Sequence, residues 1–276
     1  MNTILALTNF TPISINAVNY AADVAAFIHA ELQIINICEL PVAFTEVPLA
    51  TYDVDALVKN AERQLADLKQ TVANRLPNLI SIETIVKQGD ILSEINRYCE
   101  ELQPFAVVMG AETATSFEQF MFGGKTVSAV HQLQWPIMVV PEDVQFKGIK
   151  KIGLACDFKN VIDSVPAAEI KMMVHNFNAE LHVVNVYPEK LGGSLSASDV
   201  AESGLLQTML QDLNPLYHFI SDNDVEQSIN DFADKNELDM LIIIPKKHLL
   251  INKIFQHSYS KRMVLQMRVP VLAIHE

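Results

Sequence analysis

One stretch of the chain combines residue types that could hold a phosphate group. Residues 105–109 form a continuous apolar run that ends at Gly110, and a polar loop then leads to a helical pattern at residues 126–134. The loop ends with Gly123, Gly124, Lys125 and Thr126. Glycine lets backbone approach a ligand, and a helix start favours an anion because its dipole is positive there. This order predicts a phosphate site, although loop geometry alone would also account for the glycines.

A parallel sheet must position these residues, and the first half of the chain has the alternating pattern of one. Apolar runs predict five strands, at residues 4–7, 32–37, 82–86, 105–109 and 136–141. Helical periodicity lies between them, at residues 14–30, 54–76, 91–102 and 126–134. Strands that alternate with helices indicate a parallel α/β sheet with right-handed crossovers.

The same pattern then starts again, which indicates a duplicated domain. Residues 151–158 echo residues 3–10, residues 182–186 echo residues 33–37, and two later apolar runs echo strands four and five. We therefore expect one domain at residues 1–141 and a second at residues 149–276, joined by a short linker. The second copy is shorter in its middle, around residues 192–215.

Composition narrows the class of protein. The 276 residues carry 33 acidic and 20 basic side chains, a formal charge of −13, which argues against non-specific nucleic-acid binding. No apolar run reaches the roughly 20 residues that span a bilayer, and the first residues read as a strand rather than a signal peptide. The three cysteines are far apart, which is typical of reduced thiols in a cytoplasmic protein.

These patterns together resemble the universal stress protein family in its tandem form. The resemblance implies an α/β fold of two tandem five-stranded parallel-sheet domains, each Rossmann-like with strand order 3-2-1-4-5, as in adenine nucleotide alpha hydrolases. Nucleotide-binding members carry Gly, two residues, Gly, nine residues, Gly, then Ser or Thr. The spacing is kept here by Gly110, Thr113, Gly123 and Gly124, but Thr113 replaces a glycine and Gly124 replaces the hydroxyl residue.

The resemblance also implies where a nucleotide would lie. In this strand order the switch point falls between strands one and four, where ligands bind. Thr8, Asn9, Met109 and Gly110 would meet there, with strand-two backbone near Ile37 against the base. Asn9 replaces the family's usual Asp, but its side chain can still accept a hydrogen bond from an adenine amino group. The phosphates would face Gly123, Gly124, Lys125 and Thr126. Glu112 opposes an anion in this loop, so an emptied site retained for packing stays an alternative.

The second half departs further from the family motif. Asp157 keeps the acid that Asn9 replaces, but Pro245 stands in place of the first glycine and offers no N–H group. We therefore expect no nucleotide there. A basic cluster follows in residues 246–262, including Lys246, Lys247 and His257. It could bind an anion or an acidic partner, or form a solvated helix face, and its two histidines lack the spacing of a metal site.

These observations predict a cytoplasmic stress-response protein that binds ATP or AMP in its first domain and acts through protein interaction. The alternatives are a nucleotide-free scaffold that acts through its dimer surface, and a slow ATPase. We assign no catalytic residue, so weak ATP hydrolysis is the most activity expected. We expect the apolar fifth strands of the two copies to pair antiparallel as an intramolecular pseudo-dimer, because exposed apolar edges would aggregate. A homodimer of the whole chain is left open, and neither nucleic acid nor membrane is expected as a partner.

Overall fold

The structure, a computed structural model, describes residues 2–39, 53–77, 79–111, 129, 132–187, 197–245 and 267–275. The strands are β1 (Thr3–Leu7), β2 (Glu31–Cys38), β3 (Ile82–Gln88), β4 (Ala106–Gly110), β5 (Ile137–Val140), β6 (Lys151–Ala155), β7 (Glu180–Tyr187), β8 (Leu216–Ser221), β9 (Met240–Ile243) and β10 (Val271–Ala273). The helices are α1 (Pro12–Phe27), α2 (Val54–Arg75), α3 (Ile91–Leu102), α4 (Val161–Ser164), α5 (Ala167–Phe177), α6 (Ala197–Met209) and α7 (Val225–Asn236), with a 3₁₀ turn at Gln211–Leu213.

All ten strands form one sheet in the order β3-β2-β1-β4-β5-β10-β9-β6-β7-β8. Each set of five is parallel and follows the order 3-2-1-4-5. The two sets join where β5 and β10 pair antiparallel, with Val139 opposite Val271 and Met138 opposite Leu272. The predicted pairing of the fifth strands is thus confirmed, and it leaves β3 and β8 as the outer edges of the sheet.

Two hydrophobic cores lie on the two faces of this sheet, and each core runs through both halves. Successive side chains of a strand point to opposite faces. On β1, accordingly, Ile4 and Ala6 face the core under α1, α2, α5 and α6, whereas Leu5 faces the core under α3 and α7. Helices on both faces explain why β4 and β9 are apolar at almost every position, as parallel strands covered on both sides require.

The predicted strands and the first three predicted helices of the first half agree with the observed ones to within a few residues, whereas most of the predicted helix at residues 126–134 lies outside the described residues. The predicted helix at residues 14–30 begins two residues earlier and ends at Phe27, and strand four begins at Ala106 rather than at residue 105. In the second half, no bounds are predicted for the third strand, which is β8, or for α6, which precedes it. β8 begins directly after Pro215 and is only partly buried, so it lacks the continuous apolar run of the other strands.

Local features of the helices and cysteines follow from their residue types. Asp90 and Asp224 cap α3 and α7, and each accepts a hydrogen bond from the backbone N–H three residues on, at 3.0 and 3.1 Å. All three cysteines are free thiols, and burial raises the pKa of Cys99 to about 12. Among the helices that the structure describes, none combines the length and apolar character that crossing a membrane demands.

The segment between β5 and β6 packs against both halves. Asn16 of α1 donates hydrogen bonds to the carbonyl groups of Pro141 and Val144, at 3.1 and 3.0 Å. The ring of Phe146 then makes edge contacts with the rings of Tyr20 and Phe27, at centroid distances of 5.4 and 5.7 Å. The linker is therefore a packed part of the structure rather than a free tether.

Candidate functional site

The carboxyl ends of β1 and β4 lie side by side at the switch point of the first half. Ala6 pairs with Val108 in the parallel register. Thr8 and Gly110 each follow two residues later, so both come to the same edge of the sheet. β2 runs further than β1, because Leu7 is opposite Ile35 whereas β2 continues to Cys38 beside β3. Ile37 therefore lies beyond the end of β1, where the resemblance places the base.

Thr8 is buried and its polar groups have partners within the protein. Its hydroxyl lies 3.1 Å from the hydroxyl of Ser14 and accepts a hydrogen bond from the Phe10 N–H at 3.0 Å. Its N–H donates to the Ile35 carbonyl at 3.0 Å. The backbone then turns through Phe10 with φ of +64°, a left-handed conformation that is uncommon outside glycine. Thr8 thus shapes the loop between β1 and α1 and leaves no group obviously reserved for a ligand.

Asn9 is exposed at this edge, but its carbonyl oxygen is already used. Oδ1 accepts hydrogen bonds from the Thr11 N–H at 3.2 Å and from the Thr11 hydroxyl at 2.7 Å. This is an Asx turn, and the two bonds take both lone pairs of the oxygen. We expected the Asn9 oxygen to accept a hydrogen bond from an adenine amino group. In this conformation that oxygen already accepts two hydrogen bonds from Thr11. The side-chain NH₂ group is the part of Asn9 that could meet a ligand, and it would donate.

Gly110 has a packing reason to be glycine. A Cβ atom at this position would lie 2.6 Å from Cγ2 of Ile13 and 2.9 Å from the Ile13 carbonyl oxygen. The first turn of α1 thus approaches the end of β4 too closely for any side chain. Met109, the residue before it, is buried in the core under α3. Of these two residues, Gly110 lies at the edge of the sheet, and the atoms closest to it belong to Ile13 of α1.

Sequence reasoning missed two buried asparagines that hold the ends of the strands. Asn36 of β2 donates from Nδ2 to the Thr8 carbonyl at 2.8 Å, and Asn185 of β7 donates to the Cys156 carbonyl at the same distance. Both are less than 8% exposed. The echo between residues 33–37 and 182–186 already aligned them, and a polar residue kept inside an apolar strand was the available signal.

The second half repeats this local geometry without the same residues. Asp157 follows β6 as Asn9 follows β1, and its Oδ1 accepts from the Lys159 N–H at 3.3 Å, again an Asx turn. Phe158 has φ of +49°, the counterpart of Phe10. Here Phe158 is fully buried, and its ring lies 5.7 Å from that of Phe219 and 6.5 Å from that of Tyr217. The predicted equivalence of Asn9 and Asp157 therefore holds in three dimensions.

The predicted phosphate-binding residues lie outside the described residues, as does the basic cluster at residues 246–262. The former are Thr113, Gly123, Gly124, Lys125 and Thr126. The structure brings together Thr8, Asn9, Ile37 and Gly110, with Met109 buried behind them. Within the described ranges, no three His, Cys, Asp or Glu side chains converge as a metal site.

These features define a doubly wound α/β protein whose first half has its switch point between the ends of β1 and β4. The sequence model described as the universal stress protein family matches residues 1–141, just over half of the chain. The chain therefore belongs to the universal stress protein family. No curated protein matches it by sequence.

Solved structures share the fold over the whole chain. A universal stress protein from Archaeoglobus fulgidus DSM 4304 is 17% identical, with a TM-score of 0.74 over 100% of this chain and 96% of that one. A functionally unknown protein from Pseudomonas aeruginosa PAO1 is 13% identical, with a TM-score of 0.60 over 100% of this chain and 92% of that one. At these identities the likeness establishes the fold alone.

Proposed function

We propose that the first half binds an adenine nucleotide, ATP or AMP. We further propose that the protein acts in the stress response by interacting with other proteins, and that the bound nucleotide controls this interaction. The observation that carries the proposal is the register at the switch point, where β2 runs past the end of β1 and β4 ends on its other side. In doubly wound sheets, ligands bind in a crevice at the carboxyl ends of the strands.

The geometry suggests which groups would contact the adenine base. Ile37 offers strand backbone past the end of β1, and Asn9 offers an exposed NH₂ group because its oxygen is held by Thr11. An NH₂ donor suits a ring nitrogen of adenine, which accepts a hydrogen bond. The phosphates would then extend toward Gly123 and Gly124, which the sequence predicts to precede a helix, and backbone N–H groups at a helix start suit an anion.

Equilibrium titration with ATP and with AMP tests the proposal. Asn9→Ala and Asp157→Ala form a matched pair, since each removes an Asx turn at the same place in its own half. We expect Asn9→Ala to weaken binding several-fold and Asp157→Ala to leave it unchanged. Gly123→Val should abolish binding, because its side chain would crowd the phosphates. Wild-type affinity in Gly123→Val would place the nucleotide elsewhere.

A second candidate is a scaffold that binds no nucleotide. It is favoured by the internal partners of Thr8 and of the Asn9 oxygen, and by the contact of Gly110 with Ile13. These residues then serve packing alone. The same titration separates the two candidates, since a scaffold gives no saturable signal with either nucleotide at millimolar concentration.

A further inference from the structure

A cleft lies where the linker crosses the seam between the two halves, away from the switch point. It has a volume of about 290 Å³, room for roughly ten water molecules at about 30 Å³ each. One wall is Tyr20 of α1, another is the linker, and the opposite wall comes from the residues before β9 and β10. Val144, Leu238, Val269 and Pro270 supply the apolar part of a lining that is otherwise polar.

Tyr20 of α1 contributes a polar group to the lining of this cleft. The residue is 3% exposed, and its ring is fixed by the edge contact with Phe146. Within the described residues its hydroxyl makes no hydrogen bond, and Tyr20 lines the cleft, where a ligand can reach that group. Burial, then the nearby carboxylates of Asp239 and Asp23, raise the pKa of Tyr20, so the hydroxyl stays neutral. It can therefore accept a hydrogen bond from a ligand.

Asp239 supplies a second acceptor in a fixed position. Its Oδ2 atom accepts hydrogen bonds from the backbone N–H groups of Lys150 and Lys151, at 2.7 and 2.9 Å. These two bonds orient the carboxylate of Asp239. Its other oxygen, Oδ1, makes no hydrogen bond with the described residues and can accept one from a ligand. A carboxylate held in this way loses little side-chain freedom when a ligand binds. The rim adds the exposed Asp143 and, with opposite charge, Lys147.

We propose that this cleft binds a small organic cation, with a primary ammonium group between Oδ1 of Asp239 and the Tyr20 hydroxyl and with its carbon chain against the apolar lining. An ammonium group has three donors and no acceptor, which matches a site that presents two acceptors. The walls come from both halves and from the linker. Such a ligand therefore stabilises the seam, independently of any nucleotide at the switch point.

Calorimetric titration of the full chain with putrescine at constant ionic strength tests this site. We expect saturable binding to wild type. Loss of a charge-assisted hydrogen bond in Asp239→Asn should weaken binding by about tenfold or more. Tyr20→Phe, which removes one oxygen atom and keeps the packing, should weaken it by about threefold. 1,4-Butanediol, of the same length without charge, should give no saturable heat.

Asp67→Asn serves as the matched control, because Asp67 is an exposed carboxylate on α2 outside the cleft. It should bind putrescine as wild type does. Absence of saturable binding to wild type overturns the proposal. So does equal affinity in wild type, Tyr20→Phe and Asp239→Asn, since the cation would then be held elsewhere. If Asp239→Asn fails to fold, Tyr20→Phe against Asp67→Asn decides the question alone.

Discussion

Asn36 and Asn185 are single side chains that repeat one structural role in both halves. Each reaches from the second strand of its half to the carbonyl group just beyond the first strand. That carbonyl has no further strand to pair with, because the ladder ends one residue earlier. A buried carbonyl without a partner is costly, so the amide side chain takes the place of the missing strand.

Replacing Asn36 with Ala should lower the free energy of unfolding by about 1–3 kcal/mol, since the Thr8 carbonyl loses its donor in a buried place. Denaturation in urea measures the change. Asn60→Ala, at an exposed position of α2, should change stability by no more than about 0.5 kcal/mol. An equal loss in both variants would show that the Asn36 hydrogen bond contributes nothing of its own.

His182 and His218 form a second paired feature at this scale. Nδ1 of His182 lies 3.1 Å from Nε2 of His218, and the two rings are nearly parallel. Glu180 Oε1 lies 2.6 Å from Nε2 of His182, and Phe232 of α7 packs against both rings. Burial, and then His182, lower the pKa of His218, while Glu180 acts in the opposite direction.

This lowered pKa predicts that acid destabilises the fold. The unfolded chain takes up a proton at His218 near the ordinary pKa of about 6.5, whereas the folded protein takes it up only at lower pH. The stability that the neutral form provides is therefore complete above pH 6.5 and is lost as pH falls toward the folded pKa. Urea midpoints between pH 7.5 and 5.5 should fall less in His218→Gln than in wild type. His175→Gln, at an exposed position, should behave as wild type; a change equal to that of His218→Gln would contradict the assignment.

The sequence indicated which residues follow the strands at the switch point, but not the hydrogen bonds and contacts among them. Asn9 stood out by its place after a strand, and the Asn-x-Thr-Pro order that closes an Asx turn and starts α1 was readable too. The contact of Gly110 with Ile13 was not readable, because a glycine needed for packing and one needed for a ligand look the same in a single chain. Partners distant in sequence, such as Asn36 and Thr8, follow only once the register of β1 and β2 is known.

At the scale of elements, the linker joins the halves through a row of aromatic rings. Phe146 contacts Tyr20 and Phe27 of α1, and Phe27 stacks on Phe177 at the end of α5 with centroids 6.1 Å apart. Phe177 in turn contacts Phe105 beside β4, at 6.5 Å. The row crosses from one half to the other twice, so the helices on this face share one core.

Phe146→Ala should therefore destabilise both halves together rather than free the linker alone. Because Phe146 is half-buried, we expect a loss of about 2 kcal/mol, below the roughly 3–5 kcal/mol of a fully buried phenylalanine. Gln145→Ala, at the exposed neighbouring position, is the control and should have little effect. Chemical denaturation with fluorescence and circular dichroism measures both variants. A stability equal to that of Gln145→Ala would show that the aromatic row is incidental.

At the scale of the whole molecule, the antiparallel junction of β5 and β10 sets the two halves head to tail. The carboxyl ends of β1–β5 come to one edge of the sheet, and those of β6–β10 to the opposite edge. Asn9 and Asp157 consequently lie at opposite ends of the molecule. A nucleotide in the first half would leave the surface around Asp157 uncovered for another partner.

The substitution Val139→Asp or Leu272→Asp should break this junction. Both side chains are fully buried, one on each face of the sheet, and an unpaired buried carboxylate should cost about 4 kcal/mol or more. We expect separated halves or precipitation, detected by size-exclusion chromatography and light scattering. Leu216→Asp places the same charge at the exposed start of the edge strand β8 and should leave the protein monodisperse. Wild-type behaviour of Val139→Asp would mean that the junction is dispensable.

Most of the fold was predictable. Strands covered on both faces appear in the sequence as continuous apolar runs, and the helices between them show the 3.6-residue periodicity of apolar side chains. The fifth-strand junction followed from the exposure of two apolar edges in one chain. β8 escaped prediction because no continuous apolar run marks it: Leu216 and Phe219 are exposed, and Tyr217 and His218 between them are polar at their tips and only partly buried.

The junction has one further consequence, because both of its strands belong to a single chain. Two separate copies joined in this way would dissociate on dilution, since their association depends on concentration. Here the partner strand is held at a high effective concentration by a linker that is itself packed against α1. The assembly is therefore as intact at nanomolar as at micromolar protein. The two halves can then differ in sequence, as residues 245–258 differ from residues 110–124, without the loss of a structural partner.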